Sequence, residues 1–129
     1  RSGSSGNGNQ LQIVHNDDDD AVTVTSGGGT GDVFGMTLTA GRVYLFTVYV
    51  LGRTASNGRH AHIVSFTAEN NGGTVTFDAP IESHLFPSTS TNTATVVSPS
   101  ANNIAVRVTN NAGASIDYRA SATVMELDF

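Results

Sequence analysis

The 129-residue sequence contains no cysteine, no lysine and no tryptophan. Without cysteine, the chain has no disulfide framework, no thiolate metal site and no thiol nucleophile. Its basic residues are six arginines, set against eleven acidic residues, which gives a net charge of −5. A nucleic-acid surface needs clustered cations that displace counterions from phosphate, so we predict no nucleic-acid partner. No segment approaches the roughly 18 apolar residues of a membrane span, so we also predict no membrane insertion.

Helical patterns are missing as well. Short apolar stretches alternate with turns rich in Gly and Asn, and none has the period of an amphipathic helix. The abundant Thr and Val favour strands, whereas Gly and Asn favour turns. This pattern predicts an all-β fold, an antiparallel β-sandwich of the jelly-roll-like kind. We expect one domain over residues 10–129, after a Gly- and Ser-rich linker or cloning remnant at residues 1–9.

The longest apolar run, residues 41–53, predicts the central strand. Strand side chains alternate between the two faces of a sheet, and here both faces are apolar. A strand of this kind predicts cover on both sides, one by the domain's own second sheet and the other by a partner subunit. One face carries Val43, Leu45, Thr47, Tyr49 and Leu51, and the other carries Tyr44, Phe46, Val48 and Val50.

The remaining segments predict shorter strands on either side of this run. We expect strands at residues 10–15, 21–26, 33–39, 59–69, 74–78, 93–98, 103–109 and 115–127. Val75 and Phe77 are expected to point inward. We interpret residues 27–32 as a flexible turn and residues 81–93 as an irregular or exposed loop, because neither segment has strand periodicity. Residues 10–26 pair either within the domain or with a neighbouring subunit.

Two histidines form a candidate metal site. His60 and His62 are two residues apart on a predicted strand, so they share a face and lie close enough to bind one ion. Two ligands make an incomplete set, which three copies around a threefold axis would complete. The alternative is that both histidines simply cover a sheet face or lie near a loop edge. No other cofactor is predicted.

Catalytic signals are weak. The sequence has no Gly-x-Ser-x-Gly element, and nothing singles out carboxylate pairs such as Glu69 with Asp78 or Glu82 with Glu126. We therefore predict a non-enzymatic protein with no catalytic residues. The four aspartates at residues 17–20 are either a solvated acidic turn or a loose calcium site.

A glycan site needs an aromatic or apolar platform beside short polar side chains. The candidates are Tyr49, the loop pair Leu85 and Phe86, and Asn57 in a Ser-, Thr- and Asn-rich loop. The alternative is that the strand tyrosines belong to the core and the polar loops are only solvated.

Residues 41–53, residues 59–66 and residues 105–120, taken in this order, resemble parts of a known family. They are similar to the small β-sandwich modules at the C-termini of tailed-bacteriophage tail fibres and tailspikes. The closing hairpin of those modules reads roughly Val-x-Val-Thr-Gly-x-Ala-Gly-x-Thr-Ile-x-Trp-x-Ala. The positions that match are Val106, Val108, Thr109, Ala112, Gly113, Ile116 and Ala120, while Asn110, Ser115 and Tyr118 replace Gly, Thr and Trp.

This resemblance extends over residues 21–127, and its motifs describe strands and turns. It implies a homotrimeric, jelly-roll-like tip domain of a virion fibre that binds the host cell surface, through either a polysaccharide or a protein receptor. It supplies no invariant binding residues. The alternative function is a structural module for trimerisation or capsid decoration in a phage virion.

Overall fold

A computed structural model describes residues 21–56, 58–85 and 91–128, together with the backbone of residues 10–15. The predicted linker at residues 1–9 and the aspartates at residues 17–20 lie outside the described residues. Within the described ranges the chain forms ten strands: β1 (Gln10–His15), β2 (Val22–Val24), β3 (Gly29–Thr37), β4 (Arg42–Arg53), β5 (Arg59–Asn71), β6 (Thr74–Phe77), β7 (Ile81–His84), β8 (Thr93–Val97), β9 (Asn103–Asn110) and β10 (Ile116–Asp128). This part of the chain holds no helix long and apolar enough to cross a lipid bilayer.

The strands form two antiparallel sheets. The larger sheet has seven strands in the order β1-β10-β4-β5-β6, with β2 also paired to β10 and β7 also paired to β5. The smaller sheet has the order β3-β9-β8. Because β2 pairs with β10 and β3 pairs with β9, the connections β2–β3 and β9–β10 pass together from one sheet to the other. The predicted all-β, jelly-roll-like sandwich is confirmed.

The core lies between the inner faces of the two sheets. The rings of Phe46 and Phe66 stack across β4 and β5 with centroids 4.7 Å apart, and Phe34 of the small sheet meets Phe46 edge-on at 6.3 Å. Val106 and Val108 of β9 are fully buried opposite them. Each fully buried side chain of this size contributes about 1.5–3 kcal/mol, so this alternating inner row is the main source of cohesion between the sheets.

The interpretation of residues 27–32 as a turn was wrong for most of that segment. β3 begins at Gly29, and only Ser26, Gly27 and Gly28 form the turn. A Cβ at Gly29 would lie 2.3 Å from Thr25 Oγ1, and one at Gly31 would lie 2.9 Å from a Val24 methyl group. These two glycines are therefore strand residues that allow β2 and β3 to approach closely.

The loop predicted over residues 81–93 was also wrong in part, because β7 occupies Ile81–His84 and pairs with residues 62–65 of β5. The strand predicted at residues 93–98 is present as β8. The alternation of β7 is inverted, since Glu82 points inward while Ile81 is 74% exposed. Phe77 faces the inner side, as predicted, since it stands opposite the buried Ala68, but it is 37% exposed because β6 is short and lies at the edge of the sheet.

The first two strands pair within their own chain. β1 pairs with β10 from Gln10 opposite Glu126 to His15 opposite Ser121, and β2 pairs with the first three residues of β10. Of the two pairings considered for residues 10–26, the structure shows the one within the domain.

Candidate functional site

The two faces of the central strand β4 have different surroundings. Tyr44, Phe46, Val48 and Val50 are buried against the small sheet, at 3% exposure or less. On the other face the side chains alternate out of the sandwich, as the sequence predicted. No described residue of this chain covers that second face, so the expectation of cover on both sides is met on the inner side alone.

The exposed large apolar side chains concentrate on this outer side of the seven-stranded sheet. Of the eight in the described residues, only Phe77 lies off it, because its partner Ala68 belongs to the inner row. We call the other seven the outer apolar face: Leu45, Tyr49, Leu51, Ile81, Leu85, Met125 and Leu127. Leu85 continues the alternation of β7 by one residue, and its amide donates to the carbonyl of Ala61 at 2.9 Å.

Strand register joins these side chains into one surface. Leu45 stands directly opposite Met125, and Leu127 stands opposite the half-buried Val43. On the other side of β4, Tyr49 stands opposite the half-buried Ile63. Directly opposed side chains in an antiparallel pair have Cβ atoms about 4.5–5.5 Å apart, so these pairs place apolar side chains next to one another on three adjacent strands.

The middle of the outer apolar face carries no charge. The positions between its apolar side chains are hydroxyl residues: Thr47, Ser65, Ser121 and Thr123. Charged side chains begin at the ends, with Glu69 at one end and Arg53, Arg59 and Arg119 at the other. An uncharged apolar centre with a charged rim is the usual anatomy of a protein interface.

The outer side of the small sheet is different. None of the eight exposed large apolar side chains of the described residues lies there. Instead it exposes Thr93 and Thr95, and Arg107 makes a two-pronged ion pair with Asp32 at 2.7 and 3.2 Å. The sandwich therefore has one polar side and one apolar side.

A groove of about 530 Å³ opens at the arginine end of the outer apolar face. Arg53 and Arg59 are directly opposite each other in the β4–β5 register, and Arg119 lies on the neighbouring strand. Like charges in directly opposed positions repel. Asp117, which accepts a hydrogen bond from the Thr23 hydroxyl at 2.7 Å, supplies the single negative charge among the lining residues. The groove is lined by Ala21, Leu51, Gly52, Arg53, Arg59, Asp117 and Arg119.

A histidine cluster, formed by His62, Glu82 and His84, lies on the inner side near the β5–β7 edge. His62 Nδ1 is 2.6 Å and His84 Nδ1 is 3.6 Å from the same oxygen, Glu82 Oε2. That oxygen also accepts a hydrogen bond from the Ala94 amide of the small sheet at 2.9 Å. Burial lowers the pKa of His62, and this outweighs the hydrogen bond to Glu82, which acts in the opposite direction. At neutral pH the 2.6 Å contact is therefore a hydrogen bond between a neutral ring and a carboxylate.

The predicted site residues fall in several places. His60 and His62 share a face, as expected, but both point into their own sandwich, at 6% and 0% exposure, and not toward an outer surface where a symmetry axis could run. Tyr49 and Leu85 both belong to the outer apolar face. Asn57 and Phe86 lie outside the described residues.

Sequence reasoning missed Glu82 and His84 as partners of His62. Their spacing of two residues would have placed both on one strand face. That signal was hidden because residues 81–93 were interpreted as a loop.

No protein-family model matches the chain, and neither does any curated protein sequence. Several solved structures are similar to it in the path of the backbone. A mutant VP2 protein of infectious bursal disease virus, in derived T=1 particles, has 16% identity and a TM-score of 0.45, covering 93% of this chain. The VP2 subviral particle of the same virus has 11% identity and a TM-score of 0.44, covering 91%. The chain spans about a third of the length of those VP2 chains, at 32% of each.

Proposed function

We propose that the chain is a non-enzymatic structural module of a virion, which joins three copies of itself through the outer apolar face. One observation carries the proposal: among the described residues, seven of the eight exposed large apolar side chains lie on one side of one sheet. Contiguous apolar surfaces rimmed by polar residues mark interaction sites in folded proteins. The number three and the placement in a virion come from the resemblance of residues 41–53, 59–66 and 105–120 to phage fibre modules.

The size of the face suits a stable interface. β4, β5 and β10 have 12, 13 and 13 residues, so at about 3.3 Å per residue they are about 40 Å long. Side by side they span about 14 Å at about 4.8 Å per strand, and the four residues of β7 add about 60 Å². The resulting surface of about 640 Å² lies within the roughly 600–1,000 Å² that each partner of a stable complex buries.

The edges of the seven-stranded sheet are less suited to association than this face. Its outermost strands are short: β1 has six residues, whereas β6 and β7 have four each. Short edge strands offer few unpaired backbone groups to another chain. Copies that associate are therefore expected to turn this face toward a shared threefold axis, with β4 near that axis.

The test is the mass of the purified chain in solution, measured by light scattering over a dilution series. We expect about 40 kDa, three times the 13.4 kDa of one chain. The variant Leu45→Glu with Met125→Glu places two charges at directly opposed positions that are about half exposed, so it should fold and be monomeric. Phe77→Glu is the matched control, because it changes an exposed apolar side chain off the face, and it should stay trimeric.

Two results would refute the proposal. One is a wild-type chain that stays monomeric at every concentration. The other is a double variant that remains as trimeric as Phe77→Glu.

The arginine groove supports a second function, binding of an acidic polysaccharide on a host surface. Three of the chain's six arginines line it, and arginine recognises carboxylates through paired hydrogen bonds. A volume of about 530 Å³ lies within the range of small-ligand sites.

A binding assay tests this function. It uses two acidic polymers, polygalacturonate and polysialic acid, and neutral dextran as the control. Binding to the acidic polymers should weaken with added salt and with Arg53→Gln plus Arg59→Gln, while the solution mass stays unchanged. Equal binding to dextran, or no loss in the double variant, would contradict the second function.

A further inference from the structure

The histidine cluster has the composition of a metal site. Two imidazoles and one carboxylate lie together, and one ligand atom from each is within 4.8 Å of the other two. We propose that His62, Glu82 and His84 bind one divalent transition-metal ion, with Zn²⁺ as the representative. The site is separate from the outer apolar face, because its side chains point to the inner side of the same sheet.

Strand pairing brings the three side chains together. His62 of β5 and His84 of β7 are directly opposed in the antiparallel register. Glu82 is two residues before His84, so it lies on the same face of β7. Backbone hydrogen bonds of two paired strands therefore hold all three ligands, and none of the three depends on a loop.

The distances allow an ion to enter with small movements. Zinc bonds to imidazole nitrogen and carboxylate oxygen are about 2.0–2.2 Å, so ligand atoms around a tetrahedral ion are roughly 3.5 Å apart. His84 Nδ1 already lies 3.6 Å from Glu82 Oε2. His62 Nδ1 lies 2.6 Å from that oxygen and must move away by about an ångström. The carboxylate supplies this movement, since the ring of His62 is fully buried, and the half-exposed ring of His84 can follow it.

A neighbouring amide already orients the carboxylate. The Ala94 N–H donates to Glu82 Oε2 at 2.9 Å, so Glu82 is oriented by the opposite sheet. Such supporting hydrogen bonds orient metal ligands and raise metal affinity. An ion here would join β5 to β7, and through Glu82 it would fasten both strands to β8 of the small sheet.

The donor set selects the kind of metal. Calcium and magnesium take mostly oxygen ligands, and this cluster offers only one carboxylate. Imidazole nitrogen suits zinc, nickel, copper and iron, and three protein ligands leave one position open to water. His84 has a side chain that is 48% exposed, so the ion can reach the cluster from solvent.

The experiment uses the full chain after treatment with a chelator, titrated with Zn²⁺ by calorimetry. We expect one ion per chain and, at a hundredfold excess over Kd, a rise in Tm of roughly 10 °C. Co²⁺ provides an independent readout, because its visible absorption reports nitrogen and oxygen ligands in a tetrahedral site. Ca²⁺ should not compete, which separates this site from binding by the aspartates at residues 17–20.

His84→Ala is the decisive variant, since a half-exposed side chain can be removed without loss of the fold. It should lower zinc affinity by at least about a hundredfold while the circular dichroism spectrum stays unchanged. His60→Asn is the matched control on the same strand face, and it should bind zinc as the wild type does. The proposal is overturned if the wild type binds no zinc, if His84→Ala binds normally, or if His60→Asn alone abolishes binding.

Discussion

Gly52 allows the ring of Tyr118 to pack into the inner face near the end of β4, and Gly52→Ala should therefore destabilise the fold. The two residues are directly opposed in the β4–β10 register. A Cβ at position 52 would lie 2.5 Å from both Cδ1 and Cε1 of Tyr118, and 2.7 Å from a methyl carbon of Ile116. Both neighbours are fully buried, so neither can move aside without disturbing the core.

Two opposing effects determine how much Gly52→Ala changes the free energy of unfolding. Overpacking a filled core costs about 1–3 kcal/mol, and contacts this short place Gly52→Ala at the upper end. Replacing glycine in a strand restores about 0.5–1 kcal/mol, because the unfolded chain loses conformational freedom. We expect a net loss of about 2 kcal/mol, equivalent to a fall in Tm of roughly 8 °C.

Urea unfolding at one fixed protein concentration measures this loss, because assembly makes stability depend on concentration. Gly113→Ala is the control: a Cβ there meets nothing within 4 Å, so its effect should stay within about 0.5 kcal/mol. In a Tyr118→Leu background, Gly52→Ala should cost much less, since the ring is gone. An unchanged cost in that background would refute the steric explanation.

Two further predictions concern buried polar groups. The side-chain amide of Asn110 is fully buried; it donates to the carbonyls of Val24 and Ala114 and accepts from the Ala112 amide, each at 2.9 Å. Asn110→Ala should therefore lower the free energy of unfolding, measured in urea, by about 3 kcal/mol. A loss below about 1 kcal/mol would contradict this. Burial raises the pKa of Tyr118, so as the pH rises past about 10 this hydroxyl ionises in the unfolded chain before it ionises in the folded chain. The free energy of unfolding should then fall by up to about 1.4 kcal/mol per pH unit until the folded-state pKa is passed. Tyr118→Phe should reduce that slope, and an equal slope in the variant would show that another group is responsible.

Much of the fold could be predicted because alternation and burial agree. From Tyr44 to Val50 and from Ile116 to Val124 every second residue is apolar and faces the small sheet, so the period of two identifies both strands and their inner faces. The prediction failed at β7, where Ile81 points outward and Glu82 inward. Apolar alternation identifies a strand only when its inward-facing residues are apolar, so it does not reveal a strand such as β7, whose inward-facing residues are polar.

The site was harder to predict than the fold. Alternation correctly places His60 and His62 on one face, but it does not say which side chains lie opposite His62, because strand order is a long-range property. His84 meets His62 only through the pairing of β7 with β5. Similarly, the sequence shows that Tyr49 faces away from Phe46, but not that the described chain leaves that side uncovered.

β7 connects the two proposed sites, and its alternation keeps them separable. Glu82 and His84 point into the histidine cluster, whereas Ile81 and Leu85 belong to the outer apolar face. An ion that fixes β7 against β5 would also fix these two apolar side chains, so zinc should strengthen assembly without touching the interface. His84→Ala should therefore abolish this gain and leave metal-free assembly unchanged, while Leu45→Glu with Met125→Glu should abolish assembly and leave zinc binding intact. If either variant lost both zinc binding and metal-free assembly, the two faces would not be separable. If zinc still strengthened assembly in His84→Ala, the effect would have to come from another ion site.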